Sequence, residues 1–535
     1  MKTSKILLLT IILVTFFLKL YHLSSPPLFN DEMDVGNQAY SLATTLKDYK
    51  GNFLPTYIQS FSESRAPFLM YLTLPFVKLF GLNYLSVRLP SVIISSLSLY
   101  FFFLLVKKIS KKESLALLSV LILSSSPTFF HYSRLAFESS LLLLLILSAS
   151  YYYLDKKYLT SFILFSLSFY TYNTSNLFVP LITLYLFVFS YKDISDKKSY
   201  VKKLILPLIL LLPLLLQIIY GTATNRFSLI SIFSKNHQAT VEVKRSSSDN
   251  PYALQEKIFH NRPLEIITIF SKNYLTSFST QNLFISGDPN PRHSVPGFGF
   301  FLLPLALLLP ISLFSKHIIN PLFLYWLLIS PIAAALTLDG GLHSTRLFLM
   351  LPALAYFLAT GADYLYQKSK ILSLLLLLVT VFYFSSFLHE LNNHYPKDQF
   401  ESWGYGYQDI FTNLPDYNRF LISNTEYNLL TPHAFYQKID PHYFQDPSFS
   451  DQPQDNILED FTGYQSSPVS YLITNWNGDT LEQVKNKTHS GDLILLKQIK
   501  DIPGNMELSN FENFEIVKQV RDPYQNLLYQ LILKK

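Results

Sequence analysis

The chain has no cysteine, little charge and no nucleotide-binding signature, and each lack narrows what it can be. Without cysteine there is no disulfide, no thiolate nucleophile and no Cys-ligated metal. That is compatible with an oxidising outer compartment without requiring one. Charged residues make up 15% of the 535, whereas a soluble chain carries about a quarter. The shortfall is not the mark of disorder, because Leu, Ile, Phe and Tyr dominate the composition. No glycine-rich loop precedes a helical pattern and no histidine pair has H-E-x-x-H spacing, so a nucleotide site and that class of metal site lack support. The net charge of +6 lies in short loops between apolar runs, which argues for orientation in a membrane rather than for nucleic acid.

What fills the sequence instead is apolar runs. A run of roughly 18 or more uncharged apolar residues reads as a membrane span. Eleven candidates fall at about 6–23, 87–106, 114–130, 138–154, 159–174, 176–190, 204–220, 298–314, 318–338, 346–364 and 371–388. The first resembles a secretory signal, with Lys2 and Lys5 before Ile6–Leu18, but Lys19, Leu20, Tyr21 and His22 follow in place of a small-x-small cleavage site, so it is expected to stay. The spans are read as carrying essentially no ionisable residue, which disfavours a proton pump or transporter.

The loops alternate in character. Lys107, Lys108, Lys111 and Lys112 fill one, Lys156 and Lys157 another, and Lys192, Lys197, Lys198, Lys202 and Lys203 a third; Lys316, Lys368 and Lys370 continue the series. The intervening loops have almost no lysine near the spans. The positive-inside rule therefore places the lysine loops and the N-terminus in the cytoplasm and the C-terminus outside. The expected domains are a transmembrane domain, 1–388, and an extracytoplasmic α/β domain, 389–535. Within the first lie an outer loop at 24–86 and a large polar one at 221–297. In the first loop, Pro67 to Gly81 is apolar but short and broken by Pro75 and Lys78, so it reads as an interfacial helix. In the second domain, β-rich runs at Arg419–Ser423, Ser470–Thr474, Asp492–Lys497, Phe514–Val520 and Leu527–Leu533 accompany one helical run, Thr480 to Lys487.

Five clusters of acid, arginine or histidine fall on the expected outer side. The first is Asn30-Asp31-Glu32-Met33-Asp34, where closely spaced acids raise at least one pKa and suit a general base or a metal, or else form a solvated helix N-terminus. The second is Glu63 with Arg65-Ala66-Pro67, where a guanidinium could grip a lipid phosphate or anchor in the headgroups; Arg88 shares that ambiguity. The third is His131 to Glu138, containing Arg134. The fourth is Gly287 to His293, with Asp288 and Arg292. The fifth is Asp339 to Arg346, with His343. None is specific alone; their arrival on one face is the signal. Asn173-Thr174-Ser175 and Asn486-Lys487-Thr488 match the glycosylation acceptor pattern, which is frequent by chance.

Pro27-Leu28-Phe29-Asn30-Asp31-Glu32, Gln38-Ala39-Tyr40-Ser41-Leu42, Ser64-Arg65-Ala66-Pro67-Phe68-Leu69-Met70-Tyr71-Leu72, Leu79-Phe80-Gly81-Leu82-Asn83 and Val87-Arg88-Leu89-Pro90-Ser91 follow one another in order. Together they resemble the dolichyl-phosphate-mannose protein mannosyltransferase and aminoarabinose transferase group of GT-C glycosyltransferases. Ser133 to Glu138, Gly287-Asp288 with Arg292-His293, His343 with Arg346, and Tyr395-Pro396 before Trp403-Gly404-Tyr405 fit bacterial members. The likeness runs from the first span to about residue 410.

The resemblance implies a polytopic α-helical membrane protein of about eleven transmembrane helices, with outer juxtamembrane helices and a small C-terminal extracytoplasmic α/β domain. It implies transfer of a sugar from a polyprenyl-phosphate donor to an acceptor hydroxyl on a protein, lipid or glycan, at the outer face of the plasma membrane. On it, Asp31 is the base with Glu32 beside it, and Glu138 is the second acid. Arg65, Arg88, Arg134, His343 and Arg346 are candidates for the donor's phosphate, and Asp34, Tyr40, Asp288, Arg292 and His293 are further site residues. The family's lysine is here Arg65 and its first proline Ala66, which keeps the charge but exchanges a point for a fork. No cofactor is expected, and a divalent metal is left open. The rival readings are a flippase of lipid-linked glycans, which needs a polar path through the bilayer, and a non-catalytic scaffold.

Overall fold

The computed structural model describes residues 2–59, 64–194, 196–220, 230–247, 253–315, 320–423, 429–447, 454–458, 461–466, 471–474, 487–497 and 513–535. It divides into two compact units. One comprises Met1–Leu23, Arg65–Leu69 and Arg88–Tyr395; the other comprises Ser24–Ser64, Met70–Val87 and Pro396–Lys535. This differs from the division drawn from the sequence, in which the whole of 24–86 went with the helices before residue 389.

The first unit is a helical bundle. Among the described residues, five helices are long and apolar enough to cross a membrane: Thr3–Leu20, Tyr84–Ser110, Lys197–Gln217, Ser344–Lys368 and Lys370–Asp398. Each of the eleven apolar runs overlaps a helix among the described residues, but several are short or broken. The run at 114–130 is α5 (Glu113–Ser124) followed by α6 (Pro127–Tyr132). The break is local chemistry: the Ser126 side chain accepts from Phe129 N–H and Pro127 sits where a missing donor costs nothing. The run at 318–338 becomes Pro321–Ile329 and Ile332–Ala335, with Pro331 between them. The Lys316 of the lysine series lies outside the described residues.

Charge sorts along these helices. Helix α4 (Tyr84–Ser110) carries Arg88 near its start and Lys107 and Lys108 in its last turn. Helix α7 (Glu138–Leu154) starts on Glu138 and stops beside Asp155. The helix ending at Lys368 begins near Arg346. At the far ends Lys108 Nζ lies 2.8 Å from Asp155 Oδ1, Lys157 Nζ 3.1 Å from Asp155 Oδ2, and Lys112 Nζ 3.8 Å from Asp363 Oδ2. The first two lysine loops therefore share one end of the bundle with the Asp363 end of the helix that finishes at Lys368.

The bundle's interior is not free of charge, which corrects the sequence reading. Lys19, near the end of α1 (Lys2–Leu20), is fully buried; its Nζ donates to Ser95 Oγ at 3.1 Å and sits 4.8 Å from the Phe129 ring centroid. A buried ammonium needs such partners because hydrocarbon supplies none.

The second unit contains α2 (Asn30–Thr45), most of α3 (Phe68–Phe80), the two-residue strand β1 (Ile58–Gln59) and a mixed sheet. The short strand Ser64–Arg65, β2, straddles the units. The sheet strands are β3 (Arg419–Ser423), β4 (Gln454–Leu458), β5 (Phe461–Ser466), β6 (Tyr471–Thr474), β7 (Asp492–Lys497), β8 (Phe514–Arg521) and β9 (Leu527–Lys534). Their order is β4-β5-β6-β3-β7-β9-β8, with β3 parallel to β6 and β7 and the other pairs antiparallel. The continuous apolar runs of β3 and β7 suit this central, two-sided burial. Five strands, β3, β6, β7, β8 and β9, fall almost where the β-rich runs placed them. Strands β4 and β5 and the helix Leu430–Gln437 were not anticipated, and the expected helix at Thr480 to Lys487 lies, apart from Lys487, outside the described residues. Asn37 Nδ2 donates to Thr431 O at 2.9 Å and the Gln445 amide to Thr45 Oγ1 at 2.8 Å, tying α2 to the segments that follow β3.

One helix crossing in the bundle leaves no room for a side chain. A Cβ on Gly361 would stand 2.2 Å from Leu308 O, the small-residue contact that lets membrane helices approach. Gly361→Val is expected to lower stability by about 1–3 kcal/mol through overpacking, read as the thermal midpoint in detergent; an unchanged midpoint would contradict the close crossing.

Candidate active site

Asn30, Asp31, Glu32 and Asp34 occupy the first turns of α2, where the unsatisfied N–H groups and the helix dipole favour anions. They are not a solvated acidic surface. Glu32 is 0% and Asp34 3% exposed, and Asp31 is half-buried. Tyr49 is also buried, and its hydroxyl is held well above the usual tyrosine pKa by burial, then by the charge of Asp34 and by Tyr40. Asp34, Tyr40 and Tyr49 therefore form one neighbourhood inside the second unit.

In the first unit, Arg65 and Glu138 meet: Nη1 lies 3.8 Å from Oε1, with the side chains 8% and 15% exposed. The two residues are more than seventy positions apart in sequence.

The third, fourth and fifth clusters converge in the same unit. His131 Nε2 is 3.0 Å from Arg292 O, joining the third to the fourth. Tyr132 Oη and Thr345 Oγ1 share a 2.8 Å hydrogen bond, joining the third to the fifth. The Ser344 N–H donates to Asp288 Oδ2 at 2.8 Å, joining the fourth to the fifth. Tyr395 Oη donates to Pro291 O at 2.6 Å. Asp288 is buried, its Oδ1 accepting from Asn290 N–H at 2.9 Å and its Oδ2 lying 3.0 Å from His293 Nδ1. The His293 and His343 rings are 4.6 Å apart, centroid to centroid. Arg346 Nη1 donates to Asp339 Oδ1 at 2.6 Å and Thr337 Oγ1 at 2.7 Å.

The charges follow from these contacts. Burial pushes the Asp288 carboxyl up, but the His293 hydrogen bond and charge and the N–H groups of Asn290 and Ser344 outweigh it and hold it below the usual range. Asp339 is likewise pushed up by burial and brought down by Arg346. Burial first, then the charges of Arg346 and His293, bring His343 down to about 3. Its imidazole is neutral at neutral pH, so it would offer a phosphate a hydrogen bond and no charge.

Arg88 and Arg134 show a role the sequence did not suggest. Arg88 Nη1 donates to Leu23 O at 2.8 Å; Arg134 Nη2 donates to Tyr21 O at 3.0 Å and His22 O at 2.6 Å, and its Nη1 to Asn392 Oδ1 at 3.3 Å. Both guanidinium groups cap the carbonyls where α1 ends, the negative end of a helix. The missed residues, Lys19, Thr337, Thr345 and Ser344, carry no sequence signal: Lys19, Thr345 and Ser344 work through partners distant in the chain, and Thr337 through Arg346 nine residues on. Likewise no spacing rule flags Asp288, His293 and His343 as a group, since His343 follows His293 by fifty residues.

Residues 64–216 match the model of the dolichyl-phosphate-mannose-protein mannosyltransferase family. No curated protein matches. Among solved structures, ArnT from Cupriavidus metallidurans bound to undecaprenyl phosphate superposes with a TM-score of 0.54 at 10% identity, over 98% of this chain and 97% of that one. The archaeal oligosaccharyltransferase AglB from Archaeoglobus fulgidus, in complex with an inhibitory peptide and a dolichol-phosphate, gives 0.49 at 12% identity over 80% of this chain and 63% of that one. The ArnT match and the family model bear out the resemblance read from the motifs, and the chain has the GT-C membrane fold.

If Arg134 serves chiefly as a cap, Arg134→Met lowers stability by about 1–3 kcal/mol, seen as a lower thermal midpoint of the purified chain. A variant of unchanged midpoint that has lost affinity for polyprenyl phosphate would assign Arg134 to the lipid instead.

Proposed function

We propose that this GT-C membrane protein is a glycosyltransferase that moves a sugar from a polyprenyl-phosphate-linked donor to an acceptor hydroxyl on the extracytoplasmic face. The observation that carries the reading is the joining of four sequence-distant clusters at the bundle end opposite the lysine loops. The likeness of fold to ArnT, whose structure contains undecaprenyl phosphate, supports it along nearly the whole chain. By the positive-inside rule the lysine end is cytoplasmic, which places the N-terminus inside and the clusters outside.

The chemistry needs no nucleotide, because a polyprenyl phosphate is already a good leaving group. The enzyme must orient the acceptor hydroxyl, remove its proton and hold the departing phosphate. In this reading Asp31 takes the proton, with Glu32 beside it on the same helical turn. The acceptor oxygen forms a bond to the anomeric carbon as the bond from that carbon to the phosphate oxygen breaks, and polyprenyl phosphate departs with the electron pair. Attack from the opposite face inverts the centre with one base. Arg65 and Arg346 answer the phosphate's charge. Glu138 limits how far the Arg65 fork can turn, and Asp339 does the same for Arg346. Such paired arginines are held ready rather than left to reorganise when the phosphate arrives.

The acceptor is open among a protein, a lipid and a glycan. It is found by deleting the gene and identifying the glycoconjugate that loses a sugar. In that strain the wild-type chain is expected to restore the sugar. Asp31→Asn, expressed at the same level, is expected to restore less than about 1% of it, from the usual hundredfold or larger effect of a general base. Full restoration by Asp31→Asn would remove Asp31 from the role.

A further inference from the structure

Asp288, His293 and His343 are the kinds of side chain that hold metals. Each offers one donor atom, and the three atoms lie within 4.8 Å of one another. They come from two separate segments that backbone hydrogen bonds already fix together. In the first, Ser294 Oγ donates to Asp288 O at 2.6 Å, His293 N–H to Asn290 O at 2.9 Å and Asn290 N–H to Asp288 Oδ1 at 2.9 Å. Pro289 and Pro291 stiffen the same turn, and Gly287 enters it at φ +65°, with Phe298 O 3.0 Å from where a Cβ would stand. The second segment is tied in by Ser344 N–H on Asp288 Oδ2 at 2.8 Å. This is a rigid cradle, not a chance meeting of mobile surface groups.

Two details suit the binding of a cation here. His343 Nδ1 is shielded from solvent and has no hydrogen-bond partner among the described residues. Leaving a buried ring nitrogen unsatisfied costs about 1–3 kcal/mol, which a ligand bond would recover. The neighbouring pair, Asp288 Oδ2 and His293 Nδ1, stands 3.0 Å apart. In a tetrahedral site with bonds of about 2.0 Å, donors lie roughly 3.3 Å apart, so two ligands are near bonding separation and His343 needs only a side-chain adjustment. The His293 and His343 rings, 4.6 Å apart and inclined by 33°, share no hydrogen bond that such a movement would break.

We propose that Asp288, His293 and His343 form a divalent transition-metal site, with Zn²⁺ the best fit to two imidazoles and one carboxylate. A set of nitrogen and oxygen donors without thiolate favours Zn²⁺, Co²⁺ or Ni²⁺ over Ca²⁺ or Mg²⁺, which take oxygen ligands. Three protein ligands leave a fourth position for water or an anion. The metal clamps the 287–294 segment to the start of the helix that carries Arg346, and it adds a positive centre three residues from that arginine. The three ligands are among the residues that the resemblance assigns to the site, but the test reads metal binding and does not depend on the transferase reaction.

The test uses the full chain, purified in detergent with a tag free of histidine, stripped with a chelator and dialysed against Zn²⁺. Elemental analysis is expected to give about one zinc per chain, and the doubly substituted His293→Ala, His343→Ala chain less than a tenth of that. The exposed His389–His394 pair, whose Nε2 atoms lie 3.1 Å apart, is a second place for adventitious zinc; the His389→Ala, His394→Ala chain is expected to keep its one zinc. Co²⁺ loading gives a readout on the unmodified chain, expected as visible absorption of a four-coordinate ion free of thiolate bands, since there is no cysteine. The conservative variant His343→Gln, which removes one ligand while preserving much of the volume, is expected to weaken zinc binding at least tenfold in competition with a chromogenic chelator. No zinc in the unmodified chain overturns the proposal. So does equal zinc in the unmodified chain and the His343→Gln chain, or zinc lost only from the His389→Ala, His394→Ala chain.

Discussion

Hydrocarbon cannot solvate charge, and the arrangement of the helical unit follows from that cost. The lysines gather at one end, where Asp155 and Asp363 pair with them. At the other end the acids, arginines and histidines are paired with one another or with backbone carbonyls. Lys19 tests the rule. Its ammonium is buried near the end of α1 and is met by a serine hydroxyl and the face of a phenyl ring. The same cost explains why Arg88 and Arg134 lie on the carbonyls that close α1: an uncapped helix end in an apolar surround is as expensive as an unpaired guanidinium, and each offsets the other.

Convergence of function follows from this sorting. Polar groups driven to one end of a bundle must find partners there, and the partners come from whichever segments end at the same level. His131 reaches Arg292, Tyr132 reaches Thr345 and Asp288 reaches Ser344 across spans of 160 residues and more in the first two cases. The result is a set of preorganised charges and neutral imidazoles whose protonation is set by burial and by one another. His343, held neutral between Arg346 and His293, is the clearest case.

Much of this was legible in the residues. Apolar length located the spanning helices, because a helix satisfies its own backbone in lipid, but not the helices Lys235–Ser246 and Arg262–Thr276 within the polar loop. Lysine counting found the two ends. β-rich runs between turn residues located β3, β6, β7, β8 and β9. What failed was anything that depends on a partner. The breaks at Ser126 and Pro331 are decided by capping and a missing N–H, which a run of hydrophobicity hides. The grouping of 24–64 with the C-terminal sheet rests on contacts such as Asn37 with Thr431, between segments almost four hundred residues apart. Asp31 and Glu32 were singled out through a resemblance, yet the burial of Glu32 and Asp34, which excludes a solvated helix start, appears only in three dimensions.

The central claim is that the sugar arrives on a lipid phosphate and that no nucleotide takes part. The most direct measurement places the purified chain in liposomes with its acceptor and a radiolabelled sugar carried either on undecaprenyl phosphate or on a nucleoside diphosphate. The account predicts transfer from the lipid-linked sugar alone, in buffer free of nucleotides, with undecaprenyl phosphate as the released product. Transfer from the nucleotide sugar, with none from the lipid, would contradict it.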